Sequence, residues 1–291
     1  ERPSFKGRRL KSFDGAEEPK KAPAREKIEE GFNLRFDQFP LRLREGPWHW
    51  LSYVALCGLA AIECFCLHEA RGCWPPDGGA PRVLDPWQFR ARVVFVLYGI
   101  GILARICMTI GPWPFVSYTM ISWTMMTARH VFILCDLRQA AAFIRCASLI
   151  QNAITVILWW LLIAPAIYYV MPTPEQKREF VRFNGSLNLV SVHLLNLPLV
   201  ILDHWMEPRL LTIADFAAAL AFGLAYLLFY LNILDRWGIH FYIVLSPRTP
   251  LCGIMYGVLI GSYYGLYLLV NECTRAYFPE VAQLERPEIH V

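Results

Sequence analysis

The sequence predicts an all-α fold, a polytopic membrane helix bundle of about seven transmembrane helices with an extended polar N-terminal arm. Three observations predict it. Of 291 residues, 56% are hydrophobic and 18% charged, and the mean hydropathy is +0.35, too apolar for a water-soluble domain of this size. After Pro47 the apolar residues come in blocks of about 20, the length that crosses a hydrocarbon core of roughly 30 Å at 1.5 Å per residue. Proline and glycine interrupt those blocks at Trp74-Pro75-Pro76-Asp77-Gly78-Gly79, Gly111-Pro112-Trp113-Pro114, Met171-Pro172-Thr173-Pro174 and Ser246-Pro247-Arg248-Thr249-Pro250. The composition also excludes other classes. With 14% aromatic residues the chain is not disordered, and no unit recurs as in a repeat protein. A net charge of +4 from 28 basic and 24 acidic residues gives no nucleic-acid footprint. A membrane barrel would need alternating segments of about ten residues, which are absent.

Residues 1–47 form the polar arm, which cannot bury a core alone. Every Lys except Lys177 lies in it, and Phe5, Phe13, Phe32, Phe36 and Phe39 are scattered through it. The expectation is that it binds protein subunits of a membrane complex, with these aromatics as anchors. The chain opens on Glu1 rather than Met, so a leading segment is expected either to have been removed or to lie outside this sequence, and no intact signal or transit peptide is read in it. Residues 48–92 add a first helix and a loop, the helix at 48–67. Residues 93–272 form a six-helix unit with spans at 93–110, 115–137, 149–171, 187–205, 213–234 and 251–270, and residues 273–291 are a tail. Trp48, Trp50, Trp113, Trp159, Trp160 and Trp237 sit toward block ends, as an interfacial belt requires.

Of the nine cysteines, most lie inside apolar runs and read as small hydrophobes. Cys64 and Cys66 with Cys73 are the candidates for a redox pair or part of a metal site. C-x-C on a helix aims its sulfurs about 200° apart, however, and no His stands at zinc spacing, so no metal site is predicted.

Polar residues at membrane depth are normally paired or functional. The third block carries Thr127, Arg129 and His130, and the fifth carries His193 with Asn188 and Asn196. A Thr hydroxyl beside an imidazole on another helix makes a nucleophile with its base. The structural alternative has Thr bonding back to its own helix and His193 bonding an Asn or a carbonyl across the bundle. Glu63, Arg105, Asp203 and His204 read as snorkelling or paired charges. His130, His193 and His204 are candidates for a two-histidine haem site by residue type only, and no cofactor is predicted.

The Trp123-x-x-x-Thr127 unit, the spacing from Asn188 through His193 to Pro198, and the run Ala225-Tyr226-Leu227-Leu228 continuing to Gly238-Ile239-His240-Phe241-Tyr242 resemble the androgen-induced, FAR-17a-like membrane proteins. The likeness spans roughly residues 93–270. That family includes threonine hydrolases that cleave fatty acid esters of hydroxy fatty acids. The resemblance implies catalytic roles for Thr127 and His193, and for catalysis Asn188 is the oxyanion donor expected nearby. It implies a cavity for lipid or acyl chains walled by Trp123, Met125, Met126 and Tyr226.

Two functions compete on these readings. One is an accessory subunit of a large membrane assembly built on a hydrolase-like fold, such as a respiratory-chain or ATP-synthase complex in the mitochondrial inner membrane. The other is an intramembrane threonine hydrolase of lipid esters, with the endoplasmic reticulum or plasma membrane as alternative locations.

Overall fold

A computed structural model describes residues 40–73 and 84–284 of the chain. Most of the arm, including all five of its phenylalanines, lies outside them, as do the Trp74-to-Gly79 break and residues 285–291. Among the described residues there are helices and no strands. Six helices are long and apolar enough to cross a membrane: α1 Trp50–Gly72, α2 Pro86–Ile110, α4 Arg138–Tyr169, α6 Leu187–Met206, α7 Ile213–Leu234 and α8 Leu251–Tyr277. Where a seventh span is expected, α3 (Tyr118–Leu134) is 17 residues long and packs between α2 and α4. A short polar helix, α5 (Pro174–Asn184), joins α4 to α6.

The ends follow from local chemistry. Asp85 and Gln88 form a capping box around Pro86, which starts α2, and Gly111 stops that helix at φ +89°. Ser117, Thr173 and Ser186 each cap the helix that follows through a backbone N–H. At α7 the Thr212–Asp215 box is locked by a two-pronged ion pair from Arg209 at 2.6 and 2.7 Å.

Four of the expected spans run on by several residues in the structure, α1 to Gly72 among them, and in the other three the physical reason is shared. Hydropathy treats a charge as a boundary, yet α2 begins seven residues before Val93, and α4 eleven before Leu149, because inside the bundle Arg92 pairs with Asp203 and Arg145 bonds the Glu207 carbonyl. Likewise α8 runs past Val270 into the expected tail. There Asn271 bonds the Leu211 backbone at 2.7 and 3.0 Å, and Thr274 meets His204 at 2.9 Å.

The core lies where α3, α4, α6 and α7 meet, around the fully buried Trp123, Ile150, Ala214 and Ala217. The outer helices α1, α2 and α8 turn large apolar side chains outward, such as Leu97 (67% exposed) and Met108 (81%). That distribution suits a hydrocarbon solvent and would be costly in water. All nine cysteines are free, Cys64, Cys66 and Cys73 included.

Candidate functional site

Three helices of this bundle widen locally: α7 at its last turn, Tyr230–Leu234, and two others that meet. The backbone of α6 opens into a π turn at Ser191–Leu195, and α4 does the same at Trp159–Ile163. Proline follows closely in both, at Pro198 and Pro165. A proline ring clashes with the carbonyl four residues back and supplies no N–H, and a wide turn just ahead of it relieves that conflict. These two wide turns meet. Trp159 stacks on the His193 ring at 4.1 Å between centroids and 25° between planes, and the Trp160 indole donates to the His193 carbonyl at 2.6 Å. The other end of the Trp159 ring donates to Asn184 Oδ1 at 2.9 Å, tying α5 to the same stack.

The imidazole so held is buried, and its Nε2 lies 3.3 Å from Thr119 Oγ1 in the first turn of α3, itself buried. Nδ1 is buried without a hydrogen-bond partner. In the tautomer that carries its proton on Nδ1, Nε2 presents its lone pair to the threonine hydroxyl.

A third polar group reaches Thr119 from the loop after α7. The Tyr242 phenol neighbours Thr119, and its ring packs against those of Tyr226 and Tyr230 at 6.4 and 5.7 Å between centroids. Burial lifts the Tyr242 phenol above its ordinary range, outweighing the polar groups of Thr119, Tyr118 and Tyr226 around it, so it stays protonated. Its loop is braced. Arg248 grips Asp235 through two bonds of 2.7 Å, and the Tyr230 hydroxyl accepts from the Tyr242 N–H at 3.1 Å. Burial alone would raise the Asp235 carboxyl, but hydrogen bonds from His240 and Arg248 outweigh it and hold the group below the usual carboxylate range.

Tyr242 also lines an apolar groove of ≈ 260 Å³ between α4 and α8, with Ile154, Leu158, Val258, Leu259 and Leu266 among its walls. Tyr242 is thus common to the polar pair and the groove.

The residues read from the sequence divide around this site. His193 is at its centre. Thr127 is two turns further along α3 and about 80° around it from Thr119. Its hydroxyl donates to the Trp123 carbonyl at 3.0 Å, and it packs so closely on α2 that a Cβ at Gly99 would come within 2.4 Å of its oxygen. The expected Thr127–His193 pair is therefore replaced by Thr119–His193, because Thr127 faces α2 and Thr119 faces α6. Asn188 Oδ1 accepts from Arg105 Nε at 3.0 Å. Trp123, Met125 and Met126 fill the core, with the Trp123 indole donating to the Gly99 carbonyl at 3.2 Å. Tyr226 bonds the Val116 carbonyl at 3.3 Å in a second apolar cluster, and none of these four side chains lines the groove.

Sequence reasoning missed Thr119 and Tyr242. Block three offers Thr119, Ser122, Thr124 and Thr127, and only the face that meets α6 distinguishes them. Tyr242 lies within the run that carries the family likeness, but without a signal for its role.

Most of the remaining buried charges form a separate knot at the ends of α2, α3, α4 and α6. Arg92 holds Asp203 at 2.9 Å and Glu207 at 3.1 Å, and Arg129 pairs with the same two carboxylates. His130 Nδ1 lies 3.6 Å from Asp203, while His204 lies between Arg145 at 3.2 Å and Thr274 at 2.9 Å. The three histidines named for a haem thus have three different sets of protein partners. Among the described residues no three His, Cys, Asp or Glu side chains group as a metal ion would need. Glu63 is buried in α1 with both carboxylate oxygens unpartnered.

Comparison with models of protein families, with curated proteins and with solved structures gave no match.

Proposed function

We propose that this membrane protein hydrolyses lipid esters, with Thr119 as nucleophile and His193 as its base. The observation that carries the reading is the buried 3.3 Å contact between Thr119 Oγ1 and His193 Nε2. Such a pair is slightly looser than a working proton-transfer distance, as is usual without substrate. In the reaction Thr119 Oγ1 attacks the ester carbonyl as its proton passes to Nε2. The new Oγ–C bond forms, the carbon–alkoxide bond breaks, and the imidazolium returns the proton to the leaving alcohol. Water then attacks the acyl-threonine with His193 again as base, releasing the fatty acid and regenerating the hydroxyl.

Two neighbours support the reading. The Tyr242 phenol is a protonated donor beside Thr119, suited to the oxyanion that develops on the carbonyl. The groove that shares Tyr242 has the apolar walls an acyl chain needs, and a site within the membrane bundle admits such a chain without passage through water. The stack on Trp159 and the wide turn of α6 hold the imidazole in place, as catalytic geometry demands.

The test is hydrolysis of a long-chain nitrophenyl ester by the purified chain in neutral detergent. Thr119→Ala and His193→Ala are each expected to lower turnover by about 10²- to 10⁴-fold, with Thr119→Ser keeping a measurable part. Turnover that survives both alanine changes refutes the assignment.

A further inference from the structure

Between α4 and α6 the chain leaves the apolar bundle for α5, whose sequence Pro174-Glu175-Gln176-Lys177-Arg178-Glu179-Phe180-Val181-Arg182-Phe183-Asn184 is polar on one side and aromatic on the other. Its flanking helices are both of membrane-spanning length and composition, so α5 lies at the boundary between hydrocarbon and water. Its C-terminal end is fixed there by Asn184, which accepts from Trp159 and donates to the Phe180 carbonyl at 2.8 Å. The start is fixed by Thr173, which caps the Gln176 N–H, and by Pro174.

A cleft of ≈ 620 Å³ opens between the last turn of α4 and this helix, and its lining includes Tyr168, Pro172, Lys177, Arg178, Val181 and Arg182. Three of the lining side chains are cationic and none is acidic. The acidic residues of α5, Glu175 and Glu179, lie outside the lining; Glu175 pairs with Arg178 at 2.8 Å. The Lys177 ammonium sits 5.2 Å from the centre of the Tyr168 ring, which holds it over the cleft although the side chain is only half-buried.

Cations that merely snorkel to the water layer spread around a helix. Here three converge on one concave surface at the membrane boundary, beside the apolar faces of Tyr168, Pro172 and Val181. We propose that this cleft binds the phosphate-bearing headgroup of an anionic phospholipid. The phosphate lies among Lys177, Arg178 and Arg182, while the glycerol and the first methylenes lie against Tyr168 and Val181. Arg contributes planar, paired N–H donors and Lys a mobile point charge, the combination suited to a phosphate diester. The same phosphate chemistry exists in free solution, so the apolar wall is what selects the lipid.

The experiment uses the full chain, purified in neutral detergent and stripped of lipid. It is titrated separately with dioleoyl phosphatidylglycerol, dioleoyl phosphatidylcholine and inorganic phosphate, with native mass spectrometry counting bound lipid and a thermal scan reporting stabilisation. Expected are one phosphatidylglycerol per chain, affinity at least tenfold above phosphatidylcholine, and weakening as salt is raised. Lys177→Gln/Arg182→Gln is expected to remove the preference while leaving the lipid-free unfolding temperature unchanged. Arg178→Gln alone, should the double variant fold poorly, is expected to weaken it severalfold. Equal binding of the two lipids, or a preference unchanged in these variants, overturns the proposal. Inorganic phosphate binding as tightly as the lipid overturns it too, as a site for a soluble anion. None of these readings depends on ester hydrolysis.

Discussion

Replacing Gly99 by alanine probes whether Thr127 is a packing residue. The added Cβ would come 2.4 Å from Thr127 Oγ1 and 2.8 Å from its Cγ2. Both are well inside van der Waals contact, so α2 and α3 must move apart by several tenths of an ångström. Thr127 has little room to rotate away, being buried and tied to the Trp123 carbonyl at 3.0 Å. Overpacking of this kind costs about 1–3 kcal/mol. At roughly 2–4 °C per kcal/mol for a chain of this size, the unfolding temperature in detergent falls by about 2–12 °C. Thr127→Ala removes both close atoms and leaves only the Cβ, 3.1 Å from the new methyl group. The pair Gly99→Ala/Thr127→Ala is therefore expected to recover much of the loss. In a double-mutant cycle the coupling should be about 1–2 kcal/mol in the direction of rescue. Gly99→Ala without effect, or two changes that simply add, would refute the packing argument and reopen a functional role for Thr127.

Other consequences follow from the same geometry. Tyr242→Phe keeps the ring in its groove but removes the donor beside Thr119, so kcat for ester hydrolysis should fall by about 10²- to 10³-fold with KM little changed. Trp159→Ala removes both the stack on His193 and the bond to Asn184. It should lower turnover and stability together, which activity and thermal scans on one preparation would separate from the selective effect at Tyr242. Asp235→Asn leaves Arg248 without its buried counter-charge and should cost about 3 kcal/mol by thermal unfolding. Because the folded protein holds the Asp235 carboxyl below its unfolded value, its contribution is full above the unfolded value of about 3.9 and is lost as pH falls through the folded one. A scan of unfolding temperature from pH 7 to pH 3 should show that loss in the wild type and a shallower one in Asp235→Asn.

Much of the architecture was legible because the bilayer imposes a period and a length. Ile213–Leu234 coincides with the block read from hydropathy, and Gly111, Ser117 and Thr212 end or begin helices where their chemistry says they should. The errors at Arg92 and Arg145 share a cause: a hydropathy window scores each charge alone, whereas the fold pairs Arg92 with the Asp203 carboxylate and bonds Arg145 to the Glu207 carbonyl, both more than 50 positions away. The site was half legible. His193 stood out as an imidazole in an apolar block, while its partner hydroxyl depended on the rotation of α3. In that rotation Thr127 fills the space that Gly99 leaves on α2, and Thr119 faces α6. Tyr242 enters through a loop braced by Asp235 and Arg248, a long-range arrangement that local pattern does not encode.

The central claim is that the nucleophile is Thr119, activated by His193. A fluorophosphonate carrying an alkyl chain tests it most directly: an activated hydroxyl attacks phosphorus, fluoride leaves, and the base takes the proton, so the adduct marks the nucleophile permanently. Peptide mapping of the labelled chain by mass spectrometry should locate one adduct on Thr119, absent in Thr119→Ala and in His193→Ala and retained in Thr127→Ala. An adduct on Thr127, or labelling that persists when His193 is replaced, would contradict the account.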